Sequence, residues 1–461
     1  MPLKEPLWKP TLPAPETAPD KVGNVFGRFV SGAFARSRQH KTALLYTSSS
    51  LFVSLCAMVS GILMVRWIPP ADIGLWQSVR LAVTYSMFAM AGITNGLSRE
   101  LPYFMGRSDG EASRRLASTA LLYLLGAGGL ALLGGAGTLL VFHSLGNKVL
   151  FAIAAVTASI IFTFYTNYLI VTFRSSKSFA DLSKVKLVEG CCGLATIPLL
   201  FYLGYNGMLL RVMLVAGIVL LVMHRLRPMR VSPAWNGEAF LILLKTGIPI
   251  FALDYLASSA STCDRLVLLR YGGVKAVGLY AMALLAKEAL DIVPKSLGEY
   301  IYPRMSHSLG QLHDPKLLWK MAVKSSVLIV GIMIPIAVIG WFLMPPVVAK
   351  LFPKYTEAVT AARVLLIAEV FYGATLGRMA IWSLKSWKLM TWYQILAAGF
   401  CAVGPVVGGL LCASPLKGVS LGVLSESVIW CPIAWCFIYL ATHRAGAAEK
   451  ADQPRSTPKG D

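Results

Sequence analysis

Charged residues are scarce in this sequence, and most of them carry one sign. They make up 14% of the 461 residues, with 43 Lys and Arg against 22 Asp and Glu. Soluble domains usually carry about 25% charged residues. Hydrophobic residues make up 56%, and the mean hydropathy is +0.64. This composition excludes a soluble globular protein and indicates a chain that lies mostly within a membrane.

The sequence also lacks the patterns of metal, disulfide and β-barrel proteins. The eight cysteines lie in or beside apolar runs without any CxxC pair, and the six histidines are scattered singly. We therefore expect no metal site and interpret the cysteines as small apolar residues. The apolar runs, such as residues 116 to 141, are far longer than the alternating strands of an outer-membrane barrel. An all-α polytopic membrane protein is predicted.

Twelve apolar runs are long enough to cross a membrane as helices. These predicted spans 1 to 12 are residues 42–66, 74–97, 116–141, 149–172, 184–203, 206–226, 246–270, 276–300, 321–343, 357–383, 389–411 and 418–441.

The connections on one side of the membrane carry more Lys and Arg than the connections on the other side. Those on the side of the termini hold 18 Lys and Arg, against 5 on the opposite side. Since Lys and Arg are retained in cytoplasmic loops, both termini are expected to face the cytoplasm. The excess of positive charge thus follows membrane topology, and nucleic acid is not an expected partner.

One short stretch occurs twice, which divides the chain into two halves. Residues 66–76 read RWIPPADIGLW and residues 270–280 read RYGGVKAVGLY, and each copy lies between two apolar runs. Six spans per half is an even number, so the halves are expected to be parallel repeats related by an axis along the membrane normal. The predicted units are an N-lobe at 42–226, a join at 227–245 and a C-lobe at 246–441.

The remaining segments are predicted to lie at the cytoplasmic surface. Residues 1–41 combine a disordered tail with an interfacial amphipathic helix, and residues 442–461 form a second tail. In the join, Asn236 is expected to cap a short surface helix before span 7.

The two copies of the repeated stretch are expected to form tight outer turns that face each other across a central cavity. Such turns can act as an outer gate, and the paired positions are Arg66 with Arg270, Gly74 with Gly278 and Trp76 with Tyr280. Anchoring of the two aromatic side chains in the lipid headgroups is the alternative.

Ionisable residues within spans are costly and usually face a partner or water. Arg80 in span 2 and Lys287 in span 8 fall at similar depth in the two halves, which suggests a water-filled cavity with cations on both walls. Such a cavity favours an anionic substrate. The predicted cavity cations are Arg80, Lys287, Arg265, Arg363 and Arg378, and the polar or ion-coupling candidates are Gln77, Asp254, Asp264, Glu288, Asp291 and Glu369. Structural helix–helix ion pairs are the alternative for each of them.

Three segments resemble a known family. They are the stretch RWIPPADIGLW, the segment GITNGLSRELPYFMG from Gly92 and the segment STCDRLVLLRYGGVKAVGLYAMALLAKEAL from Ser261. They are similar to the Wzx-type polysaccharide flippases of the multidrug/oligosaccharidyl-lipid/polysaccharide (MOP) superfamily.

The resemblance implies about twelve transmembrane helices in two six-helix lobes around a central cationic cavity. It implies a bacterial inner-membrane transporter, without cofactor, that moves an undecaprenyl-diphosphate-linked oligosaccharide by alternating access. A proton or sodium gradient would drive it, and membrane lipids, polysaccharide polymerases and chain-length proteins would be partners. Asp264 and Arg265 fall on the family's acidic segment, but its counterpart in the first half is Ser60, which leaves the coupling site open.

Other functions fit the same fold less well. Multidrug cation export needs an acidic cavity, whereas a lipid-linked peptidoglycan precursor fits the same residues as an oligosaccharide cargo. A membrane glycan polymerase or ligase normally needs a large outer loop, and the longest predicted outer connection is only residues 344–356. We therefore expect a transporter and not an enzyme.

Overall fold

A computed structural model describes residues 38–144, 146–312, 315–384 and 386–452. Every regular element in these ranges is helical, which confirms the predicted all-α class. The amphipathic helix predicted before residue 38 lies outside the described residues.

The first six passes form the N-lobe. Helix α1 is Arg38–Trp67, and α2 covers 70–106 as Pro70–Ser86, the 3-10 turn Met87–Met90 and Ile93–Gly106. Helix α3 is Gly110–Val141 and α4 is Asn147–Ser175. Helix α5 covers 179–203 and consists of Phe179–Ala195 and the first turns of the segment Ile197–Leu226. Helix α6 is the rest of that segment, from residue 205 to residue 226.

The last six passes contribute the C-lobe. Helix α7 covers 237–272, as Gly237–Ala260 and the start of Cys263–Leu312, and α8 is the part of that element from residue 274. Helix α9 is Pro315–Leu351. Helix α10 covers 353–383 as Pro353–Ala358, Val359–Ala374, Thr375–Arg378 and Met379–Ser383. Helices α11 and α12 are Trp387–Leu411 and Pro415–Asp452.

The chain reverses direction at two points within continuous helical segments, and at each point a glycine has a positive φ angle. Gly204 has φ 55° and Gly273 has φ 72°, a conformation that glycine adopts without steric cost. After Gly204 the chain folds back, so that a Cβ atom on Gly207 would lie 1.8 Å from the carbonyl oxygen of Leu199. Nine described segments are long and apolar enough to cross a membrane. The broken α2, the short α5 and the reversal between α7 and α8 account for the difference from twelve passes.

Each lobe has its own apolar core. In the N-lobe, Leu97, Leu121, Phe164 and Leu169 are buried together with the first residues of α7. In the C-lobe, two clusters centre on Ile438 and on Met333. The bundle has a termini end, where α1 begins and α7 leaves the join, and a turn end, where α1 meets α2.

The two lobes meet most closely at the turn end, through the two glycines of the repeated stretch. A Cβ atom on Gly74 would lie 1.9 Å from the carbonyl oxygen of Val274, and one on Gly278 would lie 1.6 Å from that of Pro70. The backbones of α2 and α8 are therefore in direct contact. Only glycine permits this approach, because any side chain would overlap the facing main chain.

The start of α7 packs on the N-lobe. A Cβ atom on Gly247 would lie 2.0 Å from the carbonyl oxygen of Gly92, and Leu243 belongs to the N-lobe core. Asn236 caps the helix as predicted, accepting a hydrogen bond of 2.8 Å from the amide of Ala239. The expected separate surface helix is wrong, however, because one helix continues from Gly237 to Ala260 without a break. Residues 237–245 thus belong to α7, which crosses from one lobe to the other.

The positions of the turns test the topology. Reporters fused after Lys148 and Lys275, at the turn end, are expected on the outer side, and reporters after Lys177 and Lys316 on the cytoplasmic side. Reporters after Lys275 and Lys316 on one side of the membrane would contradict the passage of α8 between them.

Candidate functional site

A large cavity lies between the lobes and opens at the termini end. Its volume is about 2000 Å³, and it extends from Ser50 and Lys245 near the opening to Val65 and Trp76 near the turn end. Small-molecule pockets usually measure about 300 to 1,000 Å³. The cavity is therefore large enough for a substrate of several linked units.

The charged side chains that line the cavity are mostly cationic. Seven cations face four acids; the cations are Arg80, Arg99, Arg211, Lys245, Arg265, Lys295 and Arg378, and the acids are Glu100, Asp254, Glu288 and Asp291. The cavity thus attracts anions into a region screened from bulk water.

Arg80 and Arg265 place two guanidinium groups from opposite lobes in the same cavity. Arg80 lies on α2 and Arg265 on α7, both line the cavity, and the two cations interact electrostatically. Arg265 has a nearby carboxylate, Asp264, at 3.5 Å. Within the described part of the chain, Arg80 makes no hydrogen bond and no ion pair within 4 Å; Glu288 acts on it only at longer range. This arrangement of two cations is chemically suited to an anionic group.

Arg211 is a cavity cation that the sequence interpretation missed. It lies on α6, and its Nε and Nη2 atoms donate hydrogen bonds of 3.3 and 2.8 Å to the carbonyl oxygen of Gly193. The sequence does mark this residue, because Arg211 is the one charged residue in the interior of predicted span 6. Arg99, Glu100 and Lys245 were missed because the predicted connections included them.

Lys287 does not line the cavity, contrary to the expectation from the repeat. Its ammonium group lies 3.8 Å from a carboxylate oxygen of Glu369, whose side chain is fully buried inside the C-lobe. Asp264 and Glu426 act on the same ammonium group. Lys287 is thus the centre of an internal charge cluster, which is the structural alternative stated for it.

The other predicted cations also divide between cavity and interior. Arg363 lies outside the cavity, where its Nε donates to the carbonyl oxygen of Trp341 at 2.8 Å and its guanidinium lies over the Trp341 ring. Arg378 lines the cavity, lies 4.9 Å from the centre of the Tyr372 ring and donates to the hydroxyl of Thr375 at 3.0 Å. Arg363 therefore stabilises helix packing, and Arg378 remains a candidate for substrate contact.

Most of the predicted polar residues line the cavity. Gln77, Asp254, Glu288 and Asp291 do so, whereas Asp264 and Glu369 are buried in the C-lobe. Asp254 also links the lobes, because its carboxylate accepts a hydrogen bond of 3.0 Å from the side-chain amide nitrogen (Nδ2) of Asn95 in the N-lobe.

The repeated stretch closes the cavity at the turn end. Beside the contact of Gly74 with Gly278, the hydroxyl of Tyr355 donates a hydrogen bond of 3.0 Å to the carbonyl oxygen of Ile68 in the other lobe. Trp76 and Tyr280 are buried in an apolar cluster that both lobes share. Headgroup anchoring therefore does not describe these two aromatic residues.

The arginines of the repeated stretch do not take part in this closure. Arg66 and Arg270 are exposed at the turn end, and Arg270 lies over the ring of Tyr271. The contact between the lobes is thus made by the glycines and apolar residues of the two stretches.

Half of the sequence matches a known protein family. Residues 130–360 match the family described as polysaccharide biosynthesis protein. The chain belongs to this family. No curated protein matches its sequence.

Solved structures define the fold. The chain is similar to an inward-facing multidrug resistance MATE family transporter of the MOP superfamily, with a TM-score of 0.70, 15% identity and coverage of 89% of this chain and 99% of the other. For the inward-closed lipid II flippase MurJ, the TM-score is 0.67 and the sequence identity 12%, with coverage of 88% of this chain and 91% of the other. For an outward-facing multidrug resistance MATE family transporter, the TM-score is 0.53 and the sequence identity 13%, with coverage of 87% of this chain and 94% of the other. The predicted resemblance in fold to transporters of the MOP superfamily is confirmed, and this polysaccharide biosynthesis protein is a multi-pass membrane protein with that fold.

The glycine contact predicts how the closed end can be opened. Gly74→Val is expected to separate α2 from α8, because its side chain would overlap the carbonyl group of Val274. A cysteine at Gln77 in a cysteine-free background should then react with an impermeant maleimide from the side opposite the termini. Gly106→Val is the matched control, since a Cβ atom there meets nothing within 4 Å. Equal labelling of both variants would contradict closure by the glycines.

The internal charge cluster predicts a stability effect. Lys287→Met is expected to lower the free energy of unfolding by about 3 kcal/mol, because it leaves Glu369 buried without its cation. The additional change Glu369→Leu should recover most of the loss in thermal unfolding of the purified protein. Lys275→Met is the control; its pair with Glu357 is exposed at both partners, so its removal should cost under about 1 kcal/mol. A single Lys287→Met variant as stable as the parent would show that the pair does not support the fold.

Proposed function

We propose that this protein flips an undecaprenyl-diphosphate-linked oligosaccharide across the bacterial inner membrane for polysaccharide assembly. The observation that carries the proposal is the pair Arg80 and Arg265, two guanidinium groups from opposite lobes that line the same cavity and act on each other electrostatically. A diphosphate neutralises both and accepts charge-assisted hydrogen bonds from each. Membership of the polysaccharide biosynthesis family supports an oligosaccharide as the rest of the cargo.

The position of the opening suggests the direction of loading. The cavity is open at the termini end and closed by Gly74 and Gly278 at the other. With cytoplasmic termini, as the basic connections predict, the site would receive cargo made on the cytoplasmic side. Rocking of the two lobes would break the glycine contact and open the outer end, which is alternating access.

The charge of the cavity distinguishes some of the alternative cargoes from the proposed one. Multidrug cations are disfavoured because cations outnumber acids among the lining residues. A lipid-linked peptidoglycan precursor carries the same diphosphate, so the phenotype of a deletion strain must separate it from an oligosaccharide. Accumulation of lipid-linked repeat units with normal cell-wall synthesis would support the proposal, and arrest of wall synthesis would support the precursor.

The driving ion and the partners follow as further parts of the proposal. Proton or sodium exchange would involve the predicted coupling carboxylates that line the cavity, namely Asp254, Glu288 and Asp291. Within the described ranges, no group of His, Cys, Asp and Glu has a metal-binding arrangement. A polymerase and a chain-length protein would receive the flipped units on the outer side.

The arginine pair predicts the effect of removing one cation. Arg80→Ala should weaken binding of undecaprenyl diphosphate to the purified protein by about ten- to a hundredfold, because a hydrogen bond to a charged group contributes about 1.5 to 3 kcal/mol. Glycan export by a complemented deletion strain should fall in parallel. Arg80→Lys should retain part of both, since it keeps the charge without the two-pronged geometry.

The control for this prediction is Arg114→Ala, which removes an exposed arginine outside the cavity. It should bind and export as the parent protein does. If Arg80→Ala bound the lipid and exported glycan as well as Arg114→Ala, the cationic site would not be the diphosphate site.

A further inference from the structure

The aromatic residues of the cavity are distributed unequally between its two walls. Tyr302, Tyr372, Trp382 and Trp387 all belong to the C-lobe. Among the described residues of the N-lobe wall, the one aromatic residue is Trp76, which is 4% exposed and lies at the closed end. The N-lobe wall instead presents small hydroxyl side chains, namely Thr47, Ser50, Ser54 and Ser60.

Two tryptophans lie on the cavity wall at the adjoining ends of α10 and α11. Trp382 lies in the last turn of α10, and Trp387 begins α11. Along α11, the cavity-lining residues Trp387, Met390, Thr391 and Gln394 follow the spacing i, i+3, i+4 and i+7, so they share one helix face. An aromatic ring, a hydroxyl and an amide therefore face the same space.

Arg378 holds the aromatic side chains of α10 in place. Its guanidinium carbon lies 4.9 Å from the centre of the Tyr372 ring and 5.9 Å from that of Trp382. Its Nη2 atom also donates to the Tyr372 hydroxyl at 3.4 Å. The rings are thus ordered before any substrate arrives, which lowers the entropic cost of binding on them.

We infer that this aromatic wall, formed by Tyr302, Tyr372, Trp382 and Trp387, is the subsite for the sugar rings of the cargo. Sugar rings present C–H groups on their faces and hydroxyl groups at their edges. The faces pack on tryptophan and tyrosine rings, and the edges hydrogen-bond to groups such as Gln394 and Thr391. The inference rests on the proposed function, and it assigns the diphosphate and the sugars to different parts of the cavity.

Tryptophan and tyrosine near a membrane surface often serve as interfacial anchors. Trp392, on the same helix as Trp387, fits that role, because it is 59% exposed and does not line the cavity. Trp387 is also 59% exposed but does line the cavity. The two residues differ in the face of α11 that they occupy, which makes them a matched pair.

The test compares two probes, undecaprenyl diphosphate and the same lipid bearing an oligosaccharide of hexose and N-acetylhexosamine. Binding is measured to the purified full-length protein. The parent is expected to bind the sugar-bearing lipid more tightly. Trp387→Ala and Trp382→Ala should each weaken binding of that lipid about five- to tenfold and leave the sugar-free lipid unchanged. Trp387→Phe should retain most of the sugar-dependent affinity, and Trp392→Ala should bind both lipids as the parent does.

The other outcomes overturn the inference in distinguishable ways. If the sugar adds no affinity, or if the tryptophan variants weaken both lipids equally, the aromatic wall is not a sugar subsite, while Arg80-dependent binding of the sugar-free lipid still supports the proposed function. An equal effect of Trp392→Ala would assign the tryptophans to membrane anchoring. If the parent binds neither lipid, the proposed function fails and the sugar subsite with it.

Discussion

The direct contact of Gly74 with Gly278 is the constraint on which the rest of the structure depends. It lets the backbones of α2 and α8 touch, so the two lobes close at one end and diverge toward the other. Arg80 lies six residues beyond Gly74, or about 9 Å along the helix. The contact therefore sets how close the cations of the two lobes come.

Charges within the membrane segments serve two distinct purposes here. Lys287 and Glu369 meet inside the C-lobe, and Arg363 lies against Trp341, so these charges stabilise helix packing. Arg80 faces the cavity without a bonded partner in the described ranges. An unpaired cation costs free energy in a low dielectric, and the proposed binding of an anionic substrate would offset that cost. The absence of a bonded partner, more than the charge itself, distinguishes a substrate site from a structural pair.

The two lobes share a topology but present different chemistry to the cavity. The N-lobe contributes a row of hydroxyl groups and the C-lobe contributes aromatic rings beside Arg378, while arginines come from both lobes. A lipid-linked oligosaccharide is itself divided, with a charged diphosphate at one end and neutral sugar rings beyond it. Walls of different chemistry can hold these two parts at once, and the parallel arrangement of the lobes places the walls opposite each other.

The sequence by itself determined the twelve helical passes, the two lobes and the pairing of the repeated stretches. Hydropathy and span length act locally, and a duplicated segment carries its symmetry with it. The rotation of each helix about its own axis was decided only by the tertiary structure. Glu288 lines the cavity while its neighbour Lys287 faces the interior of the C-lobe. One residue turns a helix by about 100°, so a depth read from the repeat does not say which side chain faces the substrate. Packing between helices sets that rotation, and it also brought Arg211 and the aromatic wall to the cavity.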